Sequence, residues 1–204
     1  MIDHLWEERA FVLYEPKGTT VEVALDSASD AYFMVLSPIG EFMLTVDQTY
    51  DGREEGSFET QIEAPHFVIV GQYGDTPAQV ELTSSHDLVR YPDPDDGRRV
   101  HVGDTIVGCG DYPADADYFE IDLEAGQKVE ITVRSVALDP FLAIAYPGLS
   151  RDQIVGDDDR GGGVTGLEAQ FAYEAPHYGV YWIVVGDVAL QNRGGYLLMV
   201  ESAD

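Results

Sequence analysis

Residues 115–133 read DADYFEIDLEAGQKVEITV, and this stretch decides the fold class. Phe119, Ile121 and Leu123 alternate with polar residues, and the alternation resumes in KVEITV after the turn at Gly126. A period of two predicts strands that turn one face to a core and the other to water. Glycine between the two runs predicts a turn. The stretch therefore predicts two short strands of a β-sheet protein.

The same signal continues through the second half of the chain. Short apolar or alternating runs, each bounded by Gly, Pro or Asp, read FLAIAYPG (141–148), LEAQFAYEAP (167–176), GVYWIVVGD (179–187) and GGYLLMVE (194–201). Runs of this length and spacing are typical of a sandwich or barrel. DHLWEERAF near the N-terminus is the one helix candidate, and it is weak.

The strand pattern is written twice along the chain. TTVEVALDSASDAYFMVLSPIG (19–40) aligns with QKVEITVRSVALDPFLAIAYPG (127–148), so that Val21 falls on Val129 at an offset of 108. We therefore predict an all-β protein of two tandem, jelly-roll-like, antiparallel β-sandwich domains. The first domain spans 1–85, a Pro- and Asp-rich linker spans 86–98, and the second domain spans 99–204.

The tetrapeptide EAPH marks the same place in both copies, at 63–66 and 174–177. Proline cannot continue a strand ladder, so we interpret EAPH as the turn between the sixth and seventh strands of the repeat. The alternative, with Glu63 and His66 as metal ligands, supplies too few ligands for a site.

Composition restricts the function. The 204 residues include 38 acidic and 11 basic side chains, for a net charge of −27. This charge argues against binding to nucleic acid or to anionic lipid, and no apolar run is long enough for membrane insertion. Two interpretations of the acidity remain, namely adaptation to high salt and calcium binding by some of the carboxylates.

Residues of the second copy also carry a resemblance to a known family. In order along the chain they are VGDTIVG, DADYFEIDLEAGQKVEITV, LDPFLAIAYPG, VGDDDRGGG, FAYEAPHYGVYWIVVGD and GGYLLMVE. This set resembles the bacterial pre-peptidase C-terminal domain family over residues 97–202. The first copy resembles a degenerate member.

The resemblance implies a jelly-roll-like sandwich that serves as a non-catalytic appendage of exported enzymes. It also implies distant similarity to the collagen-binding domains of clostridial collagenases, which hold calcium and bind a protein ligand. An extracellular location follows from the family. The N-terminus shows neither the basic start nor the apolar region of a signal peptide, so a cytoplasmic chain or an excised piece stays open.

The leading candidate for a calcium site is VGDDDRGGG. Asp157, Asp158 and Asp159 precede three glycines, and Asp139 is a candidate partner across the fold. A solvated turn is the alternative interpretation. The matching loop of the first copy offers Asp47 and Asp51 as a weaker site. Third choices are the linker acids and a pair at the entry of the next strand, namely Asp93, Asp95, Asp96, Asp115 and Asp117.

Catalysis has little support in the sequence, and we expect no enzyme. The single cysteine, Cys109, has no neighbouring base and cannot form an intramolecular disulfide. None of the five histidines lies in a nucleophile or zinc motif. A hydrolase is kept as a minor alternative.

Strand parity also predicts an apolar surface patch. If the strands at 179–187 and 194–201 pair, their outer faces carry Trp182, Val184, Leu197 and Met199, and Phe67 takes the place of Trp182 in the first copy. Such a patch marks either interdomain packing, a homodimer or a partner site.

The sequence favours a non-catalytic accessory or binding module, stabilised by Ca²⁺, for a protein or polysaccharide ligand. The alternative is an acidic structural protein adapted to high salt, without a specific metal.

Overall fold

The chain is a β-sheet protein, as the alternation predicts. The computed structural model describes residues 9–73, 79–146, 155–158, 168–190 and 192–203. All regular elements among these residues are strands, so the all-β sandwich class is confirmed. The described residues include no helix with the length and apolar character needed to cross a membrane. The chain divides into two compact units, Met1–Pro92 and Asp93–Asp204.

The first unit is built from eight strands among the described residues: β1 (Arg9–Leu13), β2 (Thr20–Ser27), β3 (Ala31–Leu36), β4 (Phe42–Val46), β5 (Gly52–Glu59), β6 (His66–Gln72), β7 (Val80–Ser84) and β8 (Val89–Arg90). They form a five-stranded sheet, β4-β3-β6-β1-β8, and a three-stranded sheet, β5-β2-β7. Val23 and Leu25 of β2 meet Phe33 and Val68 of the larger sheet in a common core.

The second unit contains nine described strands: β9 (Arg98–Val100), β10 (Thr105–Gly110), β11 (Ala116–Leu123), β12 (Lys128–Ser135), β13 (Pro140–Ala145), β14 (Val155–Asp157), β15 (Glu168–Glu174), β16 (Gly179–Asp187) and β17 (Gly194–Ser202). Their sheets are β14-β13-β16-β11-β9 and β10-β17-β12-β15. Phe119, Ile131 and Leu198 are fully buried between them, where the period of two places them.

The two units share most of their strand order. Four strands of the larger sheets correspond, β4-β3-β6-β1 to β14-β13-β16-β11, and β5-β2-β7 matches β15-β12-β17. The fifth strands differ, because β8 follows β7 and pairs antiparallel with β1, whereas β9 precedes β10 and pairs parallel with β11. The segment predicted as a linker gives a strand to each unit, because β8 pairs with β1 and β9 pairs with β11. The β9–β11 pair is parallel, and the other strand pairs among the described residues are antiparallel, as predicted. EAPH lies between β5 and β6, and again where β15 ends and the chain turns into β16.

The predicted pairing of the strands at 179–187 and 194–201 is wrong. β16 pairs with β11 and β13, while β17 pairs with β10 and β12 in the other sheet. The chain crosses from one sheet to the other between β16 and β17. The predicted alternation of side chains along each strand is therefore right, but the predicted strand pairing is not. The four patch residues therefore cannot share one surface.

The patch residues also differ in exposure. Trp182 and Val184 are 8% and 4% exposed, and Phe67 is 4% exposed. Leu197 is 41% exposed and Met199 is half-buried. Leu197 is therefore the most exposed of the five residues, and the role of the patch in interdomain packing, a homodimer or partner binding stays a prediction.

A buried histidine in the first unit predicts a pH effect. The His66 ring is fully buried, its Nδ1 lies 2.9 Å from the Ala64 carbonyl oxygen, and burial lowers its pKa. The folded unit therefore keeps the ring neutral, while the unfolded chain takes up a proton below about pH 6.5. The stability that neutral His66 contributes is present above that pH and is lost as the pH falls below it.

We expect the melting temperature of the first unit to fall between pH 7 and pH 5, and to fall less in His66→Phe. Differential scanning calorimetry across this range measures both. His86→Gln, which changes a half-buried histidine of the same unit, is the control. Equal pH slopes for wild type and His66→Phe would contradict the prediction.

Candidate metal centre

Among the described residues, Asp157, Asp158 and Asp139 form no converging group of ligand atoms. Asp157 ends β14, and its Oδ2 accepts a hydrogen bond of 3.0 Å from the Gln170 amide. Asp158 is exposed and Asp159 lies outside the described residues. The Asp139 amide donates to Asp187 Oδ1 at 3.0 Å. The role of these acids as ligands stays a prediction.

The loop of the first unit is organised by another acid. Asp47 and Asp51 are exposed. Glu54 is buried, and its carboxylate accepts hydrogen bonds from the Gln48 amide (2.8 Å) and from the Thr49 amide (2.7 Å) and hydroxyl (2.6 Å). These bonds account for the turn without an ion.

A different set of carboxylates converges in the second unit. Asp93, Asp96 and Asp117 each place an oxygen within 4.8 Å of the others. Among the residues that the structure describes, no other group of three His, Cys, Asp or Glu side chains converges in this way. From sequence alone, these residues rank below the loop at 157–159 as candidate ligands.

The loop before β9 supplies the first two acids. Asp93 Oδ1 accepts from the Asp95 amide at 3.1 Å, which closes a turn that two prolines flank. Gly97 follows at a φ of 73°, a conformation that favours glycine. This brings Asp96 Oδ1 within 3.2 Å of the Tyr118 amide on β11. The loop is thus attached to the strand that carries Asp117.

The turn between β10 and β11 supplies Asp115. Its Oδ2 accepts from the Asp111 amide at 2.6 Å, and its own amide donates to the Tyr112 carbonyl oxygen at 3.2 Å. Ala114 takes a φ of 63°, which is uncommon for a residue other than glycine. Asp115 lies close enough to Asp117 and Asp93 for their charges to raise its pKa.

Asp117 has the core parity of β11, and a tyrosine holds it in place. Tyr196 Oη donates to Asp117 Oδ2 at 2.5 Å from the facing sheet. The Tyr196 ring can reach this position because Gly108 lies beneath it. A Cβ atom built on Gly108 would lie 2.2 Å from the ring Cζ.

Several oxygens of this cluster are buried without a partner. Asp115 and Asp117 are 6% and 1% exposed. Among the described residues no hydrogen bond reaches Asp93 Oδ2, Asp115 Oδ1 or Asp117 Oδ1. Buried polar atoms normally have partners, so the orphan acceptors of Asp93 and Asp117 in the converging group, and that of Asp115 nearby, indicate a missing donor or cation.

Burial and mutual repulsion disfavour the charged state of these acids. Burial raises the pKa of Asp115, and the charges of Asp117 and Asp93 raise it further. Burial likewise raises the pKa of Asp117, as do Asp93, Asp95 and Asp96, although the bond from Tyr196 opposes the rise. Arg98 forms an ion pair with Asp95 in this loop, at 3.7 Å from Asp95 Oδ1. Arg98 is half-exposed, and it supplies one positive charge beside several carboxylates.

The donor set suits a hard cation. Calcium takes six to eight oxygens in flexible geometry, and carboxylates are its preferred ligands in proteins. Asp93, Asp96 and Asp117 offer converging oxygens, Asp115 lies beside them, and waters or carbonyl groups would complete the shell. None of the four is a nitrogen or sulfur ligand, which disfavours zinc and copper.

Comparison with known proteins gives only distant similarity. No protein-family model and no curated protein matches the sequence. Among solved structures, the pre-peptidase C-terminal domain of a Bacillus anthracis collagenase is 16% identical, covers 54% of this chain and 100% of its own, and has a TM-score of 0.43. The Salmonella Typhimurium protein PliG, a periplasmic inhibitor of g-type lysozyme, is 18% identical over 52% of this chain and 99% of its own, with a TM-score of 0.38.

A third similar structure spans both units. Hazelnut vicilin is 12% identical over 96% of this chain and 74% of its own, with a TM-score of 0.22. At these identities and TM-scores, neither the fold nor the function of the chain is inferred from the similarities.

Proposed function

We propose that the chain is a non-catalytic accessory module that binds a protein ligand outside the cell, and that its second unit is stabilised by calcium. The ion is held by Asp93, Asp96, Asp115 and Asp117. The observation that supports this most strongly is the set of buried, unpartnered carboxylate oxygens at one point. A cation there satisfies the orphan acceptors and cancels the repulsion that raises their pKa values.

The position of the site suggests what the ion does. Asp93 and Asp96 lie at the start of the second unit, Asp117 lies on β11, and Tyr196 anchors Asp117 from β17. One ion therefore ties the entry loop to both sheets of the sandwich. Extracellular modules bind calcium with Kd values of about 10⁻⁴–10⁻³ M, which suits a structural ion outside the cell.

Isothermal titration with Ca²⁺ tests the proposal. We expect one binding event in wild type, at least about tenfold weaker binding in Asp117→Asn, and little change in Asp157→Asn. Mg²⁺ should compete poorly, because it demands a smaller octahedral site. Loss of binding in Asp157→Asn alone would move the site to the loop that the sequence favours.

The salt-adapted structural protein predicts a different result. If the acids form only a solvated surface, about 1 M KCl stabilises the chain and other salts at that concentration stabilise it equally. About 1 mM Ca²⁺ then has no effect. That outcome would overturn the calcium proposal.

A further inference from the structure

Among the described residues, the smaller sheet of the first unit has three strands, one fewer than its counterpart in the second unit. β7 corresponds to β17, because Leu82 faces Leu25 in β2 as Leu198 faces Val133 in β12. β17 pairs with β10 along its other edge over six residue pairs. Among the strands that the structure describes, none pairs with that edge of β7.

Hydrogen bonding shows which groups this edge presents. The Ser85 amide donates to the Glu22 carbonyl oxygen, so residues 81, 83 and 85 turn their backbone groups toward β2. Backbone direction alternates along a strand, and the amides of Val80, Leu82 and Ser84 therefore point to the free edge. An edge of this kind is a template for another extended chain.

The core beneath the edge is less covered than in the second unit. Tyr196 and Leu198 of β17 are 3% and 0% exposed, and Ile106 of β10 packs in the same core. Their counterparts Val80 and Leu82 are only partly buried. The first unit thus has room for a further strand beside β7. The inward side chain of that strand would be apolar, like Ile106 of β10 in the second unit.

The outer face of this sheet, from β5 across β2 to the β7 edge, is acidic. Glu22, Glu55, Thr83 and Ser85 line a groove on the outer face of the sheet, and Glu81 lies exposed on β7 itself. Arg53 is the cation there, and it already pairs with Asp26 and Glu55. A second copy of this chain would bring the same acids and a further charge of −27, which disfavours self-pairing. The complementary occupant carries basic side chains.

We propose that the free edge of β7 binds an extended basic segment of a partner protein by β-strand addition. The segment places an apolar side chain opposite Leu82, a small residue opposite Val80, and Lys or Arg on the outer face. Backbone hydrogen bonds contribute affinity, and the alternate side chains contribute specificity. This inference rests on the proposal that the chain is a binding module, and it is independent of the calcium site.

The test uses a labelled peptide patterned on β10. Lys-Ile-Lys-Gly-Lys-Gly keeps the inward residues of Thr105–Gly110 and replaces the outward ones with lysine. Fluorescence anisotropy should show saturable binding to the full chain at about 0.15 M salt. A peptide of the same composition with Ile moved to an outward position should bind at least about tenfold more weakly.

Two proline variants form a matched pair. Ser84→Pro removes an amide from the free edge of β7 and leaves the bonds to β2 in place. Ser57→Pro removes an outward amide from β5, the opposite edge of the same sheet. We expect Ser84→Pro to weaken peptide binding by at least about tenfold and Ser57→Pro to leave it within about twofold.

Three results would overturn the inference. The first is equal peptide binding by Ser84→Pro and wild type, which would show that the peptide binds through nonspecific electrostatic attraction. The second is concentration-dependent dimerisation in sedimentation that Ser84→Pro abolishes, which would make a second copy the occupant. The third is binding that occurs only in a variant lacking residues 1–8, which lie outside the described part of the chain. Asp117→Asn should bind the peptide like wild type. A failure of the calcium proposal can therefore be distinguished from a failure of the strand-addition proposal.

Discussion

Asp117→Asn is expected to melt higher than wild type in chelator and lower than wild type in saturating calcium. Without an ion, Asp117 is a 1% exposed carboxyl beside other acids, and ionising it there costs desolvation and repulsion. Asparagine has the same shape, carries no charge and still accepts the hydrogen bond from Tyr196. With calcium, the carboxylate is a ligand and asparagine is a poor substitute.

The size of the calcium effect follows from mass action. Calcium at about 100 times its Kd stabilises the wild-type fold by about 2.7 kcal/mol, which is on the order of 10 °C for a unit of this size. Scanning calorimetry of both proteins, each with Ca²⁺ and with chelator, gives the four melting temperatures. Asp157→Asn is the control and should respond to calcium like wild type. A variant that is less stable than wild type by the same amount in both conditions would contradict the prediction.

Gly108→Ala is expected to destabilise the second unit and to weaken calcium binding together. The new Cβ would overlap the Tyr196 ring, at 2.2 Å from Cζ. The ring is 3% exposed and has little room to move, so overpacking should cost about 1–3 kcal/mol. Displacing the ring also pulls the hydroxyl group away from Asp117, which loses its orientation.

Gly110→Ala provides the matched control on the same strand. A Cβ there would meet the Leu138 side chain at 3.7 Å, an ordinary contact. We expect Gly110→Ala to keep wild-type calcium affinity and nearly wild-type stability, as measured by urea unfolding and calcium titration. Equal effects of the two substitutions would show that Tyr196 does not position Asp117.

The strands could be predicted from sequence because their signal is local. A buried strand face can be predicted from the spacing of Phe119, Ile121 and Leu123 alone. The partner of a strand is not a local property. β16 and β17 are adjacent in sequence and both are apolar, yet the chain crosses between sheets after Asp187, and no residue spacing records that crossing.

The candidate site was harder to predict for the same reason. Three adjacent aspartates at 157–159 form a visible cluster, whereas Asp93 and Asp117 meet only because β9 runs parallel to β11. One signal was present in the sequence. Asp117 shares the parity of Phe119 and Ile121, so the alternation that predicted the strand also placed a carboxylate on its core face. An acid in that position needs a compensating partner.

The single thiol of the chain lies beside these acids. The Cys109 amide donates to Asp95 Oδ2 at 3.1 Å, and burial together with the nearby Asp111 raises the pKa of the Cys109 thiol. Thiolate, the species that attacks disulfides and oxidants, is therefore scarce at neutral pH. The carboxylates around Cys109 thus also lower the reactivity of this thiol toward disulfides and oxidants.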